Sequence, residues 1–397
     1  MPRFEPFQAL RYRRNVDLHD VCSPPYDVLS DLDRLALATA HANNIVHIDM
    51  PLASSGNAYE HAAVVLNQWI TEGVLVRDDQ PSFTLYRMKF TDTTGKARNV
   101  VGVIGALEVV DEGAGGVLPH ERTTPKAKTD RLELTRATDA NLSPVWGLSL
   151  ATGLSTLLTE PAELLGELTD DLGVVHSVER VTDDARIAAI SAAIAAHPVV
   201  IADGHHRYAI SRTYRDEVRE RTNSTSTGAE LTMTYVNELI DEQLSVAAIH
   251  RLYEGITYKE LAAALSPFFT INDADSVGPT TLSQMNERGS LCLVAKTGRT
   301  HWLTPIAERF TGVRNLDSAY LEHALSSVQH EVRYQHGVTE VQHELQTSDA
   351  TAAILIRPVS VAEIQRTANE GLLMPPKSTF FSPKLRTGFV LREMKTR

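Results

Sequence analysis

Two stretches in the first half of the chain show clear hydrophobic periodicity. The apolar segments FTLYRMKF and NVVGVIGALEVV flank the turn-forming TDTTGKAR, and this pattern predicts a β-hairpin from Phe83 to Val110. The run DDARIAAISAAIAAHP places Ile187, Ile190 and Ile194 on one face at helical spacing and ends in a proline. It therefore predicts an amphipathic helix.

A second periodic unit follows that helix directly. The short apolar run VVIA predicts a buried strand, and after DGHHR the apolar residues Ile210, Tyr214 and Val218 recur at every fourth position. We therefore expect a strand, a tight turn and a helix in succession.

The remaining segments alternate between strand and helix patterns. LTMTYVNE and SVAAIHRLY predict strands, LCLVA and THWLT predict a second hairpin, and AYLEHALSSV and VAEIQRTANEG predict helices. No internal repeat or heptad array is present, which excludes solenoids and coiled coils. The pattern predicts a mixed α/β fold, with a larger region over residues 1–253 and a smaller C-terminal α/β region over residues 254–397.

Composition narrows the classes of function. Fifty acidic residues outnumber 38 lysines and arginines, and a net charge of -12 disfavours binding to a nucleic-acid backbone. The two cysteines, Cys22 and Cys292, are too few for a disulfide framework and fit a reducing compartment. No stretch approaches the ~20 consecutive apolar residues that cross a membrane. We expect a cytoplasmic protein whose partners are small molecules, without nucleic acid or membrane.

The most informative segment for chemistry is Asp203-Gly204-His205-His206-Arg207, at the predicted junction of strand and helix. Backbone N–H groups of a first helical turn and the helix dipole favour an anion there, and Arg207 can grip a phosphate or carboxylate with two N–H groups. Asp203 can bind a metal or accept a proton from a hydroxyl. The simpler interpretation is an N-cap aspartate beside two buried histidines. For the five residues together we favour a functional site.

A second cluster, Pro119 to Arg131, is dense in ionisable groups and is predicted to be a loop. It contains a carboxylate, Glu121, among cations, an arrangement that keeps the carboxylate ionised and able to act as a base or metal ligand. On charge density alone, a solvated surface loop is the simpler interpretation.

The third cluster, Met374 to Lys384, lies near the C-terminus. Residues 371–378 resemble a phosphate-binding P-loop, but Pro376 stands where the second glycine belongs. Proline has no N–H to offer a phosphate and cannot take a positive φ, so we reject the P-loop. We keep four candidate phosphate contacts on a proline-braced loop, with a basic surface loop as the alternative: Lys377, Ser378, Thr379 and Lys384.

The stretch Ile201 to Arg207 resembles the G-x-H-R signature of the ParB and sulfiredoxin superfamily, and specifically the DGHHR of free L-serine kinases with that fold. Five further motifs, in order along the chain, resemble a bacterial family long classed as a domain of unknown function and similar to pyrophosphate-dependent serine kinases. These motifs are PPYD at 24–27, HERT at 120–123, DRL at 130–132, NLSP at 141–144 and MPPKSTFFSPK at 374–384. Sulfiredoxin chemistry needs a cysteine where this chain has His205, and is excluded.

The resemblance implies a ParB/sulfiredoxin-like catalytic core over residues 1–253 and a C-terminal region, 254–397, that supplies a phosphate-binding loop. It implies transfer of a phosphoryl group to free L-serine to give O-phospho-L-serine, with Mg²⁺ as cofactor, pyrophosphate as the favoured donor, and ATP or ADP as alternatives. Glu121 is then the general base or orients the hydroxyl, and Asp203 is its partner or a metal-linked carboxylate, with the two roles exchangeable.

The other implied site residues support those two carboxylates. His205 is placed with them as a catalytic residue, and the remaining phosphate or substrate contacts are His120, Thr123, Lys126, Arg131, His206, Arg207, Lys377, Ser378, Thr379 and Lys384. The alternatives are a kinase of another small hydroxy compound and a ligand-binding regulator of the ParB-like superfamily. An assembly of identical chains is left open.

Overall fold

The chain is divided into two compact units. The computed structural model describes residues 1–52, 57–92, 95–121 and 128–394, without the side chains of residues 128 and 129. Unit 1 comprises Met1–Ser245 together with Pro383–Arg397, and unit 2 comprises Val246–Ser382. The first boundary lies eight residues before the sequence-based one at 253, and the C-terminal 15 residues return to unit 1.

Helices occur in both units. In unit 1 they are α1 Leu18–Val21, α2 Asp31–Ala40, α3 Val46–Asp49, α4 Ala58–Thr71, α5 Lys128–Thr138, α6 Leu154–Thr159, α7 Asp184–Ala195 and α8 His205–Thr222. In unit 2 they are α9 Tyr258–Leu265, α10 Thr281–Arg288, α11 Asp317–Leu325, α12 Val338–Thr347 and α13 Val361–Asn369. Among the described residues, no helix is long and apolar enough to cross a membrane.

Strands alternate with these helices along the chain. The first twelve are β1 Phe4–Glu5, β2 Leu10–Tyr12, β3 Leu75–Arg77, β4 Phe83–Thr91, β5 Ala97–Glu108, β6 Val117–Pro119, β7 Ala140–Asn141, β8 Val145–Ser149, β9 Glu163–Thr169, β10 Val175–Val181, β11 Val199–Asp203 and β12 Leu231–Glu238. The others are β13 Val246–Ala247, β14 Ile249–Glu254, β15 Phe269–Asp273, β16 Leu291–Ala295, β17 Thr300–Pro305, β18 Glu331–His336, β19 Ala352–Leu355, β20 Phe380–Phe381 and β21 Arg392–Glu393. The predicted mixed α/β class is confirmed.

The main sheet of unit 1 has the strand order β6-β11-β8-β12-β5-β4-β10-β9, with β1 paired to β5. The strands β4 and β5 form the predicted antiparallel hairpin. The hydrophobic core beside the main sheet includes Phe83 and Val103 from the sheet and Ile190 and Ile194 from α7, all completely buried. The apolar face that predicted α7 is therefore the face that packs on the sheet.

One segment of unit 1 differs from the sequence-based expectation. The segment predicted as a loop through Arg131 becomes helical at Lys128, and Leu134 on that helix is buried. The loop prediction is wrong there because the charged run KTDRLELTRAT is also rich in strong helix formers.

The C-terminal segment joins unit 1 through backbone pairing. The short strand β21 pairs antiparallel with β7, and Leu391 forms a β-bridge with Leu10. These backbone contacts explain why residues 383–397 do not belong to the C-terminal unit.

Unit 2 contains an antiparallel sheet with the order β15-β17-β16-β19-β14-β18. Its hairpin β16–β17 is the one predicted around KTGR. Leu291, Leu293 and Leu303 from this hairpin are completely buried in the unit 2 core.

Candidate active site

The parallel pairing of β6 with β11 brings two sequence motifs to one edge of the sheet. Val117 to Pro119 lie beside Val199 to Ile201 in parallel register, so both strands end at the same edge. The next residue after β6, His120, is fully buried and its Nδ1–H donates to the carbonyl of Ile201 over 2.5 Å. The carboxylate of Glu121 follows, with its Oε1 3.4 Å from Nε2 of His120.

The turn after β11 depends on glycine. Gly204 has a φ of 83°, in the left-handed region that side-chain-bearing residues avoid. A Cβ at this position would lie 3.0 Å from Cζ of Arg207. The glycine therefore permits both the tight turn into α8 and the close approach of the Arg207 guanidinium.

Asp203 lies between two cations. Its Oδ1 accepts a hydrogen bond from Nζ of Lys384 at 2.9 Å, and its Oδ2 accepts one from Nη2 of Arg207 at 2.7 Å. Burial alone would raise the pKa of the Asp203 carboxyl, but the charges of Lys384 and Arg207 outweigh that effect and hold the pKa well below its usual range. The carboxyl group of Asp203 is therefore held in its charged form and is a weak base.

His205 is neutral in this environment. Burial, followed by the neighbouring His120, lowers its pKa to about 3, although Glu121 and Asp203 act in the opposite direction. The rings of His120 and His205 are 4.9 Å apart between centroids. His206 follows on the first turn of α8 and also disfavours a charge on His205.

Arg207 is held by the NLSP motif as well as by Asp203. Its Nη1 donates to the carbonyl of Pro144, while Nη2 serves Asp203. The planar guanidinium makes the two contacts through separate nitrogens, a geometry that the single ammonium of a lysine lacks. The backbone of the NLSP motif thus helps to fix the direction of the Arg207 guanidinium.

Arg131 on α5 links two further motifs. Its guanidinium lies 4.0 Å from the ring centroid of Tyr26, a residue of PPYD, and its Nη1 donates to Oδ1 of Asp49 at 2.9 Å. Sequence reasoning did not single out Asp49 or Tyr26 individually. Asp49 could have been noticed as the one acidic residue among the apolar residues of IVHIDM. Tyr26 could have been noticed because it follows two prolines.

The other predicted site residues are distributed as follows. Thr123 and Lys126 lie outside the described residues. Lys377, Ser378 and Thr379 belong to unit 2, whereas Lys384 belongs to unit 1. Proline cannot adopt a positive φ, and in this segment the residue after Pro376, Lys377, has a φ of 57°. The buried Ser378 hydroxyl donates to the carbonyl of Pro375 at 2.8 Å.

Within unit 1, the site joins two carboxylates, Glu121 and Asp203, and two cations, Lys384 and Arg207. The side chain of Glu121 is 12% exposed. The arrangement suits reactions in which a hydroxyl loses a proton beside a group carrying negative charge.

Comparison with known sequences identifies the family. Residues 4–319 match the family described as "Protein of unknown function (DUF1015)", and the chain belongs to it. The resemblance to a domain of unknown function is confirmed at this level. No curated protein matches the chain.

Solved structures with partial similarity include kinases and other proteins. A free serine kinase in complex with AMP is 12% identical, with a TM-score of 0.39, over 70% of this chain and 88% of that one. SbnI with a C-terminal truncation, from Staphylococcus aureus, is 12% identical, with a TM-score of 0.40, over 72% of this chain and 85% of that one. A conserved hypothetical protein from Pyrococcus furiosus is 12% identical, with a TM-score of 0.39, over 70% and 92%. The ParB/sulfiredoxin-like core stays a prediction from the DGHHR resemblance.

Proposed function

We propose that this protein transfers a phosphoryl group to the hydroxyl of free L-serine, giving O-phospho-L-serine. The observation that carries the proposal is the placement of Glu121 and Asp203 at one sheet edge by the parallel β6–β11 pair, with Lys384 and Arg207 on Asp203. At this edge the motifs HERT and DGHHR, both part of the serine-kinase resemblance, lie together. They are far apart in the chain: His120 and its hydrogen-bond partner Ile201 are separated by 81 positions.

Glu121 takes the serine hydroxyl proton in this proposal. Asp203 is a poor base because both of its oxygens are held by cations and its pKa is lowered. Nε2 of His120 lies 3.4 Å from Oε1 of Glu121, and this proximity orients the Glu121 carboxylate. Of the two exchangeable roles, we therefore propose that of base for Glu121 and that of charged partner for Asp203.

The reaction balances as a simple displacement. The serine oxygen forms a bond to the terminal phosphorus of the donor, its proton passes to Glu121, and the bond to the bridging oxygen breaks. Phosphate leaves when the donor is pyrophosphate, and ADP or AMP leaves when it is ATP or ADP. We favour pyrophosphate because no adenine-binding pattern is evident in the sequence.

Two cations of unit 1 can offset part of the negative charge of the donor. Lys384 and Arg207 both contact Asp203, so together they exceed its charge by one. His205 adds none, because burial lowers its pKa to about 3. The resemblance adds Lys377, Ser378 and Thr379 as donor contacts, and no step here depends on them.

The donor set around Asp203 and Glu121 fits Mg²⁺ in one particular way. Among the described residues no group of three or more acidic, histidine or cysteine side chains forms a protein-only metal site. Mg²⁺ commonly uses one or two carboxylates together with substrate phosphates and water. Glu121 or Asp203 would supply such a carboxylate, the latter through an oxygen that also accepts from Lys384 or Arg207. When bound with the donor, Mg²⁺ would neutralise charge on the transferred phosphoryl group.

Phosphorus NMR tests the reaction directly. The purified protein is incubated with Mg²⁺ and L-serine and, separately, with pyrophosphate, ATP or ADP. We expect the O-phosphoserine resonance with at least one donor, and pyrophosphate is expected to give the fastest rise. Silence with all three donors would contradict the proposal.

A matched pair of variants ties turnover to the site. Glu121→Gln removes the base and should slow transfer by about 10²–10⁴-fold. Glu112→Gln makes the same change on a glutamate with an 89% exposed side chain and should retain the wild-type rate. Equal rates for both variants would remove Glu121 from the mechanism.

Two other functions give different results in the same experiment. A kinase of another hydroxy compound would consume the donor with homoserine or a hydroxy acid and not with serine. A regulator of the ParB-like superfamily would bind a nucleotide or amino acid without consuming any donor.

A further inference from the structure

Three polar side chains form a continuous hydrogen-bonded row inside unit 1. This polar row consists of Asp170, His176 and Tyr86, and its last hydrogen bond is made to the backbone of Arg386. Tyr86 and His176 are completely buried. The reaction proposed above uses none of these groups directly.

The contacts of the polar row run from a turn to the strand β4. Oδ2 of Asp170 lies 3.1 Å from Nε2 of His176, and Nδ1 of His176 lies 2.8 Å from the hydroxyl oxygen of Tyr86. The same oxygen accepts a hydrogen bond from the backbone N–H of Arg386 at 3.0 Å. The antiparallel pairing of β10 with β4 brings the histidine and the tyrosine together.

The two ends of the row fix the direction of every hydrogen bond in it. A backbone N–H can only donate, and a carboxylate can only accept. Asp170 therefore accepts from Nε2–H of His176, which leaves Nδ1 as the acceptor for the Tyr86 hydroxyl. The tyrosine oxygen in turn accepts from Arg386, so the hydroxyl has one orientation.

His176 is neutral in this row. Burial lowers the pKa of His176 to about 4, although the neighbouring Asp170 acts in the opposite direction. The row needs the neutral imidazole, because a charged ring would carry a proton on Nδ1 and could not accept from Tyr86. Burial therefore keeps the imidazole in the form that orients the tyrosine hydroxyl.

The row holds the backbone of the C-terminal segment close to Lys384. Arg386 is two residues further on, so the Cα atoms of Lys384 and Arg386 are at most about 7 Å apart. The next residue, Thr387, exchanges two backbone hydrogen bonds with Ser23, at 3.0 and 2.9 Å. The chain is thus fixed just after Lys384, whose ammonium reaches Asp203 at 2.9 Å.

Tyr86 supports the same segment through its ring. The ring lies edge-on to that of Phe389, with 5.1 Å between the centroids and 76° between the planes. A phenylalanine at position 86 would keep this ring contact and remove only the hydroxyl. The contribution of the hydrogen bond can therefore be measured separately from the packing.

We propose that Tyr86, His176 and Asp170 are positioning residues: they orient the Tyr86 hydroxyl, which holds Arg386 and thereby places the Lys384 ammonium on Asp203. The expected effect on phosphoryl transfer rests on the function proposed above, whereas the expected effect on Lys384 does not. The row acts through Lys384 and exchanges no proton with a substrate.

The Lys384 ammonium reports on this placement in the absence of any substrate. An ammonium that is held by a carboxylate is protected from exchange with water, and nitrogen NMR of the labelled protein detects it. We expect a protected Lys384 Nζ signal in the wild type, identified by its loss in Lys384→Met. Tyr86→Phe should broaden or remove this signal, and an unchanged signal would overturn the proposal.

Tyr208→Phe is the matched control for the loss of a buried hydroxyl. The Tyr208 hydroxyl also accepts from a backbone N–H, that of Val110 at 2.9 Å, and donates to the carbonyl of Glu108. Each variant leaves one N–H without its acceptor, so both should lower the free energy of unfolding. Only Tyr86→Phe should weaken the Lys384 signal and slow transfer, by about tenfold. Equal effects on transfer would contradict the positioning role.

A double-mutant cycle separates positioning from general damage. In Lys384→Met the side chain that Tyr86 places is already absent, so the addition of Tyr86→Phe should slow transfer no further. If the two losses multiplied instead, Tyr86 would act independently of Lys384 and the proposal would be wrong.

His176→Leu is the second variant if Tyr86→Phe fails to fold. It leaves the Tyr86 hydroxyl without the acceptor that orients it, so the Lys384 signal should weaken in the same direction. A wild-type signal in this variant would likewise contradict the proposal.

The results separate this inference from the proposed function. A Lys384 signal that depends on Tyr86, in a protein that forms no O-phosphoserine, would support the placement of Lys384 and contradict the kinase. Formation of O-phosphoserine at the wild-type rate in Tyr86→Phe, with an unchanged Lys384 signal, would support the kinase and contradict the positioning role.

Discussion

Lys384 donates a hydrogen bond to Asp203 over 2.9 Å, although the two residues are 181 positions apart in the chain. The contact joins the last residue of the MPPKSTFFSPK motif to the first residue of DGHHR within unit 1. It also makes Asp203 a carboxylate with a cation on each oxygen, since Arg207 occupies the other.

Replacing Lys384 by methionine should reduce both stability and transfer. The side chains of Lys384 and Asp203 are 14% and 23% exposed, so the change leaves a largely buried carboxylate with one cation fewer. Breaking a buried ion pair costs roughly 3 kcal/mol, and we expect at least a tenfold loss of phosphoryl transfer. Urea unfolding and phosphorus NMR measure the two effects.

Two further lysine variants interpret that result. Lys384→Arg keeps the positive charge and should restore part of the activity. Lys89→Met alters an exposed lysine of β4 and should change neither quantity. If Lys384→Met behaved like Lys89→Met, the Asp203 contact would have no role in the site.

Gly204→Ala should be more harmful than the same change at a glycine with open surroundings. Gly204 and Gly113 both have a φ of 78° or more, so alanine is strained at either position by about 1 kcal/mol. Only at Gly204 would the new Cβ lie 3.0 Å from Arg207 Cζ, since Gly113 has nothing within 4 Å. The guanidinium must then move.

The comparison of these two alanine variants separates strain from site geometry. We expect Gly113→Ala to lower the free energy of unfolding with little effect on transfer, and Gly204→Ala to reduce transfer at least tenfold as well. Equal activity in the two variants would show that the position of Arg207 does not limit the reaction.

Local patterns in the sequence were sufficient for the elements around DGHHR. The periodicity of Ile187, Ile190 and Ile194 predicted α7, and VVIA followed by DGHHR predicted β11, the turn and α8. These elements are encoded by neighbouring residues, whose spacing reports the face that is buried.

Long-range pairing was beyond those patterns. The strand β6 has three residues after a glycine-rich stretch, and nothing local indicates that it lies parallel to β11. The contacts of Lys384 with Asp203 and of Arg131 with Asp49 join segments 181 and 82 residues apart. Such contacts depend on how the whole sheet packs. The hydrophobic periodicity of one segment carries no information about which distant segment it will contact.

Arg207→Lys should impair the site although it preserves charge. The guanidinium serves Pro144 and Asp203 through different nitrogens, and a single ammonium lacks that planar geometry. We expect at least a tenfold loss of transfer with a modest loss of stability, measured as above. Arg212→Lys on the same helix, whose partner Glu112 is 89% exposed, is the matched control and should be silent. Full activity of Arg207→Lys would mean that its charge alone matters.

His205 predicts how stability changes with pH. Its pKa falls to about 3 on folding, chiefly through burial, whereas the ordinary histidine pKa is about 6.5. Between these values the unfolded chain binds a proton that the folded chain does not. The free energy of unfolding should therefore decrease as the pH falls from about 6.5 towards 3, by up to about 1.4 kcal/mol per pH unit from this residue.

Urea unfolding at several pH values, with two histidine variants, measures this contribution. His205→Asn should make the decline with falling pH less steep, because the proton taken up by the unfolded imidazole is removed. His19→Asn, which alters a histidine with a 60% exposed side chain, should keep the wild-type slope. If the free energy of unfolding fell equally steeply with pH in wild type and His205→Asn, His205 would take up its proton equally in the folded and unfolded chain. That result would contradict the conclusion that His205 stays neutral beside Glu121 and Asp203.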